Sequence, residues 1–259
     1  MNALLRGPIV CRSLLTLLLT VGAALEAGAE WYAGGYGGVS LNGKITDGDM
    51  PIYAKNVAQT MFPNPHPLPG DYLSQTFRIL SDINLKNSPM FGGRVGYFFT
   101  NYGFKWAGLE LEAFTTQPTI KQQTIQTQQT ILSNRQNDLL DPQPQSVVIN
   151  TALPIGEARL RVTTVALNAV IRYPGKIFQP YAGVGVGLFY FQGASPFPGS
   201  DVQPGLNTFA GLKVFVTEKI ALFGEYKYNR ATIHQLDDVY GLKGNYSISH
   251  IAGGIAYHF

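Results

Sequence analysis

From Tyr246 to Phe259 the chain alternates two classes of side chain. Ile251, Gly253, Ile255, Tyr257 and Phe259 share one parity, and His250, Ala252, Gly254, Ala256 and His258 share the other. A period of two is that of a β-strand with two unlike faces. The same alternation predicts strands at about residues 31–41, 90–99, 104–114, 162–173, 179–191, 206–216, 220–229 and 246–259. Each approaches the ~9–11 residues with which a tilted strand crosses a bilayer.

The connections alternate in length. Thr100-Asn101-Tyr102-Gly103, Pro174-Gly175-Lys176 and Thr217-Glu218-Lys219 read as tight turns, whereas residues 42–89, 115–161, 192–205 and 230–245 are long. Turn-forming residues supply the short ones. In an up-and-down meander this rhythm puts every tight turn at one end. The fold class expected is therefore all-β, an eight-stranded antiparallel up-and-down transmembrane β-barrel whose long loops lie at the opposite end.

Parity sorts the charges. Glu110 and Glu112 lie opposite Leu109 and Leu111; Arg94 opposes Val95, Arg172 opposes Ile171, Lys213 opposes Leu212, and Glu225 and Lys227 oppose Leu222 and Tyr226. A soluble barrel would turn the apolar face inward and a membrane barrel would turn it to lipid, so parity alone leaves both open. The small residues Gly92, Gly96, Gly183, Gly185, Gly187, Gly211, Ala252, Gly254 and Ala256 share the charged face and favour a narrow lumen holding long charged side chains. Arg94, Arg172, Lys213 and Lys227 are then expected to pair with Glu110, Glu112 and Glu225 in a plugged interior, since unpaired buried charge is heavily penalised. A narrow ion or small-solute path gated by those pairs is the alternative.

Aromatic girdles are expected where lipid meets water. One would hold Trp31, Tyr32, Phe98, Phe99, Phe104, Trp106, Tyr173, Phe178, Tyr181, Phe215, Tyr257 and Phe259; the other Phe114, Tyr190, Tyr228 and Tyr246.

Composition agrees with many short strands: 29 glycines, 15 Phe and 14 Tyr in 259 residues. Arg6 and Arg12, the apolar run Leu14 to Leu25 and Ala27-Gly28-Ala29 form an export-signal pattern over residues 1–29, leaving residues 30–259 as the mature barrel domain. Cys11, the one cysteine, lies within that segment, so no thiol chemistry is expected in the mature chain. Without Arg6, Arg12 and Glu26 the formal charge is +2, which gives no argument for nucleic acid.

The segments Pro180-Tyr181-Ala182-Gly183-Val184-Gly185-Val186-Gly187, Gly108-Leu109-Glu110-Leu111-Glu112 and Phe223-Gly224-Glu225-Tyr226-Lys227-Tyr228, with terminal Phe259, resemble the eight-stranded outer-membrane β-barrel superfamily of the opacity proteins and the outer-membrane protein A barrel. The resemblance implies a bacterial outer-membrane location, with outer-membrane lipid and the barrel-assembly machinery as partners. It implies that Ile255, Tyr257 and Phe259 serve as the C-terminal insertion signal. Members differ in function, so no activity transfers. A monomer is expected.

Catalytic, metal and cofactor sites are not expected. Ser249 and His250 are neighbours on opposite faces, so a local Ser-His nucleophile pair, as a lipid-modifying enzyme would need, is not built. His66 lacks partner ligands at metal spacing, and Asp47-Gly48-Asp49 lacks the rest of a calcium loop. Recognition of an extracellular ligand or surface falls to the two longest loops. Tyr72 to Leu80 is amphipathic and predicts a short helix; Thr119-Ile120-Lys121 and Thr124-Ile125-Gln126 predict an extended hairpin beyond the membrane.

Overall fold

The computed structural model describes residues 30–61, 72–134 and 145–259. The export-signal segment and His66 lie outside the described residues. Eight strands close a ring: β1 (Glu30–Asp49), β4 (Ser88–Phe99), β5 (Phe104–Thr116), β9 (Ala158–Arg172), β10 (Phe178–Gly193), β11 (Gly199–Phe215), β12 (Ile220–Ile233) and β13 (Lys243–His258). Neighbours are antiparallel, and β13 returns to β1 with Tyr32 opposite His258 and Ser40 opposite His250. Closure leaves no edge within the ring, the condition for a sheet to persist in lipid.

The ring strands run well past their expected outer ends. The segment 42–89, expected to be a loop, continues β1 to Asp49 and then carries α1 (Pro51–Met61), β2 (Tyr72–Ile79) and β3 (Ile83–Asn84). The helix expected over residues 72–80 is thus a strand, and the helix lies earlier. Pairing decides this: β2 lies antiparallel along β7 (Gln123–Asn134), from Tyr72↔Asn134 to Ile79↔Thr127, and sheet partners override the helical period of an isolated segment. Residues 115–161 likewise hold β6 (Thr119–Ile120), β7 and β8 (Gln145–Ile155); the hairpin expected between residues 119–121 and 124–126 does not form, because β6 joins β9 while β7 pairs with β8. Bulges fall between Leu41 and Lys44 and between Thr46 and Asp49, where Asn42 and Asp47 take φ of 52° and 51°. Asn and Asp tolerate that left-handed region, and β1 resumes pairing with β13 beyond each bulge, at Lys44↔Ser247 and Asp49↔Lys243.

The interior has two storeys. Near the tight turns it is aromatic and charged, with Tyr32, Tyr36, Phe98, Tyr181, Phe209 and Phe223 among the buried ion pairs. Toward the outer end it becomes an apolar core of Ile45, Met50, Ile83, Phe189, Phe191, Leu236, Leu242 and Tyr246, to which α1 and the outer connections contribute. The outer mouth is filled. At the opposite end, Gly103 ends a 3-10 turn at φ 80°, a backbone only glycine adopts freely.

Five of the sixteen aromatics expected in the girdles lie inside instead. Phe104, Trp106, Tyr173, Phe178, Tyr257 and Phe259 face outward, as does Tyr190, but Tyr32, Phe98, Phe114, Tyr181 and Tyr246 are buried inside. Successive strand residues point to opposite faces, so aromatics on both parities cannot all reach the lipid boundary. The inward rings occupy the space expected for charged side chains: a Cβ at Gly96 would come within 2.3 Å of the Tyr32 ring, and at Gly183 within 2.3 Å of Phe209.

Candidate functional site

All seven charged residues singled out by parity lie inside the ring and are buried. Arg94 sits centrally: Nη1 and Nη2 donate to Glu225 at 2.9 and 2.5 Å, and Nη1 also reaches Glu110 at 3.5 Å. Lys227 donates to Glu112 and lies 3.5 Å from Glu225. Tyrosines complete the carboxylates: Tyr32 donates to Glu110 at 2.7 Å, Tyr36 to Glu112 at 2.5 Å and Tyr181 to Glu225 at 2.9 Å. Asn168 and Asn207 donate to the same glutamates, and the Arg94 guanidinium lies over the Tyr36 and Phe223 rings at 4.7 and 4.4 Å. Charge-assisted bonds at this density leave little lone-pair capacity unused.

Two cations depart from the expected pairing. Arg172 binds Glu30 through both terminal nitrogens, not a central glutamate, and stacks on Phe98 at 3.6 Å. Lys213 contacts His258 Nε2 at 3.1 Å and the Tyr32 face at 4.2 Å, with no carboxylate in ion-pair contact among the described residues. Glu30 is the residue that parity missed. It opens β1, accepts from Arg172 and lies 3.1 Å from His258 Nδ1, so the interior holds four carboxylates against four basic side chains. Its place between the cleavage pattern and the strand expected from residue 31 kept it out of the parity count. Between the central and lower groups lies an enclosed cavity of about 10 Å³, room for one water. It is no pore.

A Ser-His contact does exist, built across strands. Ser40 Oγ lies 2.8 Å from His250 Nδ1, and His250 Nε2 lies 2.8 Å from Asn229 Oδ1. Nucleophile, base and orienting group are spaced as in a hydrolytic triad. Ser40, however, is fully buried and also bonds Thr116 Oγ1 at 2.7 Å, leaving no approach for a substrate. Only the closure of β13 onto β1 brings these residues together.

Outside the ring, β2, β7 and β8 form a sheet joined to the barrel where Asp49 pairs with Arg78. One face packs on the apolar core through Phe77, Ile79 and Ile125. The other presents Thr76, Arg78, Gln126, Gln128 and Asn150 to solvent, with Gln128 Nε2 donating to Asn150 Oδ1 at 3.2 Å. Among the described residues β8 pairs with β7 alone, and it contains no charged residue. Burial raises the Asp49 carboxyl above the usual carboxylate range, opposed by the Met50 and Phe77 backbone N–H groups.

The model of the outer membrane protein beta-barrel domain family matches residues 14–259. The chain belongs to that family. No curated protein matches it by sequence. Among solved structures it is similar to Ail, the attachment invasion locus protein of Yersinia pestis, in complex with the heparin analogue sucrose octasulfate, at 14% identity and TM-score 0.42, covering 90% of this chain and 100% of that one. It is similar to neisserial surface protein A at 11% identity and TM-score 0.45, over 90% and 99% of the two chains. The outer membrane protease OmpT of Escherichia coli matches at 10% identity and TM-score 0.35, over 92% and 99%. As a member of the outer-membrane barrel family, the protein sits in the bacterial outer membrane with Leu109, Leu111, Leu167, Val184, Val186 and Ile255 facing lipid. In such barrels the tight turns lie at the periplasmic end, which places the outer sheet outside the cell. Among the described residues no cluster of His, Cys, Asp and Glu has metal-binding geometry.

Proposed function

We propose that the barrel is a closed, monomeric anchor and that the β2–β7–β8 sheet is a recognition surface presented to the exterior. The observation that carries this reading is the free edge of β8. Its backbone donors and acceptors on that side have no strand partner among the described residues, and it lacks the charged side chains that usually blunt an exposed edge. Such an edge takes an extended segment of another protein as an added strand. The charge-paired lower storey and apolar upper storey support the anchor role, because a solute path would have to cross both. Outward-facing Ile255, Tyr257 and Phe259, at 58%, 42% and 55% exposure, support a C-terminal segment read by the assembly machinery.

The test is adhesion. Non-adherent bacteria displaying the protein should bind epithelial monolayers or matrix-coated plates, and replacing residues 123–155 by a short Gly-Ser linker should abolish that binding while the eight-stranded ring still folds. Equal adhesion by the deletion variant would refute the recognition role. Steady discrete openings in planar bilayers, lost on Glu110→Gln or Lys213→Met, would refute the closed anchor, and an altered lipid A mass spectrum on expression would assign an enzymatic role instead.

A further inference from the structure

We infer that Arg159 and Arg161, on the outer wall of β9, form a binding site for the phosphate of a phosphorylated glycolipid in the outer leaflet. The site rests on the membrane placement given by the family and is independent of the recognition role of the outer sheet. Along β9 the outward positions run Ile171, Ala169, Leu167, Val165, Thr163, Arg161 and Arg159. Arg161 lies ten residues beyond Ile171; at ~3.3 Å per residue and a tilt of about 40°, that is roughly 25 Å of height, the thickness of a barrel's apolar band. The lipid-facing surface agrees, since Thr115 and Thr163 bond at 3.3 Å where the apolar side chains end. The first guanidinium above that boundary therefore stands at the level of lipid head groups.

Neither arginine has an anionic partner among the described residues. Arg159 makes no side-chain hydrogen bond or ion pair among the described residues. Arg161 has only Gln117: with that amide turned so that its oxygen faces the guanidinium, Nε and Nη2 donate to it at 2.9 and 2.6 Å. Glu157, just before β9 in the chain, is bound by Lys86. Gln192, paired with Arg161 in register, donates instead to the Tyr190 hydroxyl at 3.2 Å. Two exposed guanidiniums one outward position apart repel each other, and a doubly charged phosphate between them reverses that sign. Arginine's planar fork suits phosphate oxygens, and the Gln117 contact fixes one fork in place. Beneath the pair, Val165 and Leu188 offer an apolar wall for acyl chains, so the source is a membrane lipid, not free phosphate.

The test is native mass spectrometry of the protein extracted from outer membranes in mild detergent and titrated with diphosphorylated lipid A. Wild type should retain one lipid, and the Arg159→Gln/Arg161→Gln double variant should retain at least about tenfold less, as expected for loss of charge-assisted forks. An Arg159→Lys/Arg161→Lys variant should fall between them. Equal retention by the Gln variant would overturn the site, as would equal binding of dephosphorylated lipid A by wild type. Displacement of the lipid by millimolar inorganic phosphate would overturn the lipid assignment. The wild-type comparison of phosphorylated and dephosphorylated lipid decides the matter even if a variant misfolds. Absence of the protein from the outer-membrane fraction would instead fault its placement.

Discussion

Arg94→Met should be among the most damaging single changes in the barrel. Arg94 is 5% exposed, and its guanidinium reaches three carboxylates, at 2.5 Å to Glu225, 3.5 Å to Glu110 and 3.8 Å to Glu112. The central group then keeps Lys227 as its one cation in ion-pair contact with those carboxylates. Two unit charges about 4 Å apart attract by about 4 kcal/mol at an effective dielectric near 20. Breaking a buried pair from one side costs about 3–5 kcal/mol, because the partner stays buried and uncompensated. Urea titration in lipid vesicles, followed through the fluorescence of Trp31 and Trp106, should show a loss in that range. Adding Glu225→Gln should recover a large part of it by removing the stranded charge. A loss below about 1 kcal/mol, on a scale where breaking such a pair costs several, would refute the network as a cooperative buried unit. So would a double variant no more stable than the single.

Three further changes probe other parts of the molecule. Tyr246 is fully buried with its hydroxyl unpartnered, so Tyr246→Phe should raise stability by about 1 kcal/mol in the same titration, the orphaned group's desolvation cost being removed. Phe191→Ala should destabilise the apolar storey by about 3–5 kcal/mol and accelerate hydrogen exchange in α1 and β2 more than in the membrane ring. Asp49 carries a carboxyl raised by burial, so the folded state holds its proton more tightly than the unfolded one. The outer sheet should therefore lose protection against exchange as pH rises through that range, and Asp49→Asn should flatten the dependence; an unchanged profile would refute the assignment.

Much of the wall was legible because period-two alternation is local. A strand's faces follow from its own residues, and all eight ring strands include the segments where the pattern put them, with the seven charges singled out by parity on the inner face. Inner partners were less legible. Arg172 found Glu30 and Lys213 found His258 because strand stagger, set by closure of the whole ring, decides which heights meet. The outer segments misled for a related reason: Tyr72 to Ile79 reads as an amphipathic helix in isolation and becomes a strand only beside β7.

By itself, then, the sequence determined the number of ring strands, the parity of the interior charges, the alternation of short and long ring connections and the apolar coat that meets lipid, since each depends on neighbours along the chain. Tertiary structure alone decided the pairing of the interior charges, the Ser40–His250–Asn229 contact, the apolar seal above them and the free edge of β8. Those depend on register between strands up to 228 residues apart, as at Glu30 and His258, and register is a property of the closed barrel, not of any segment.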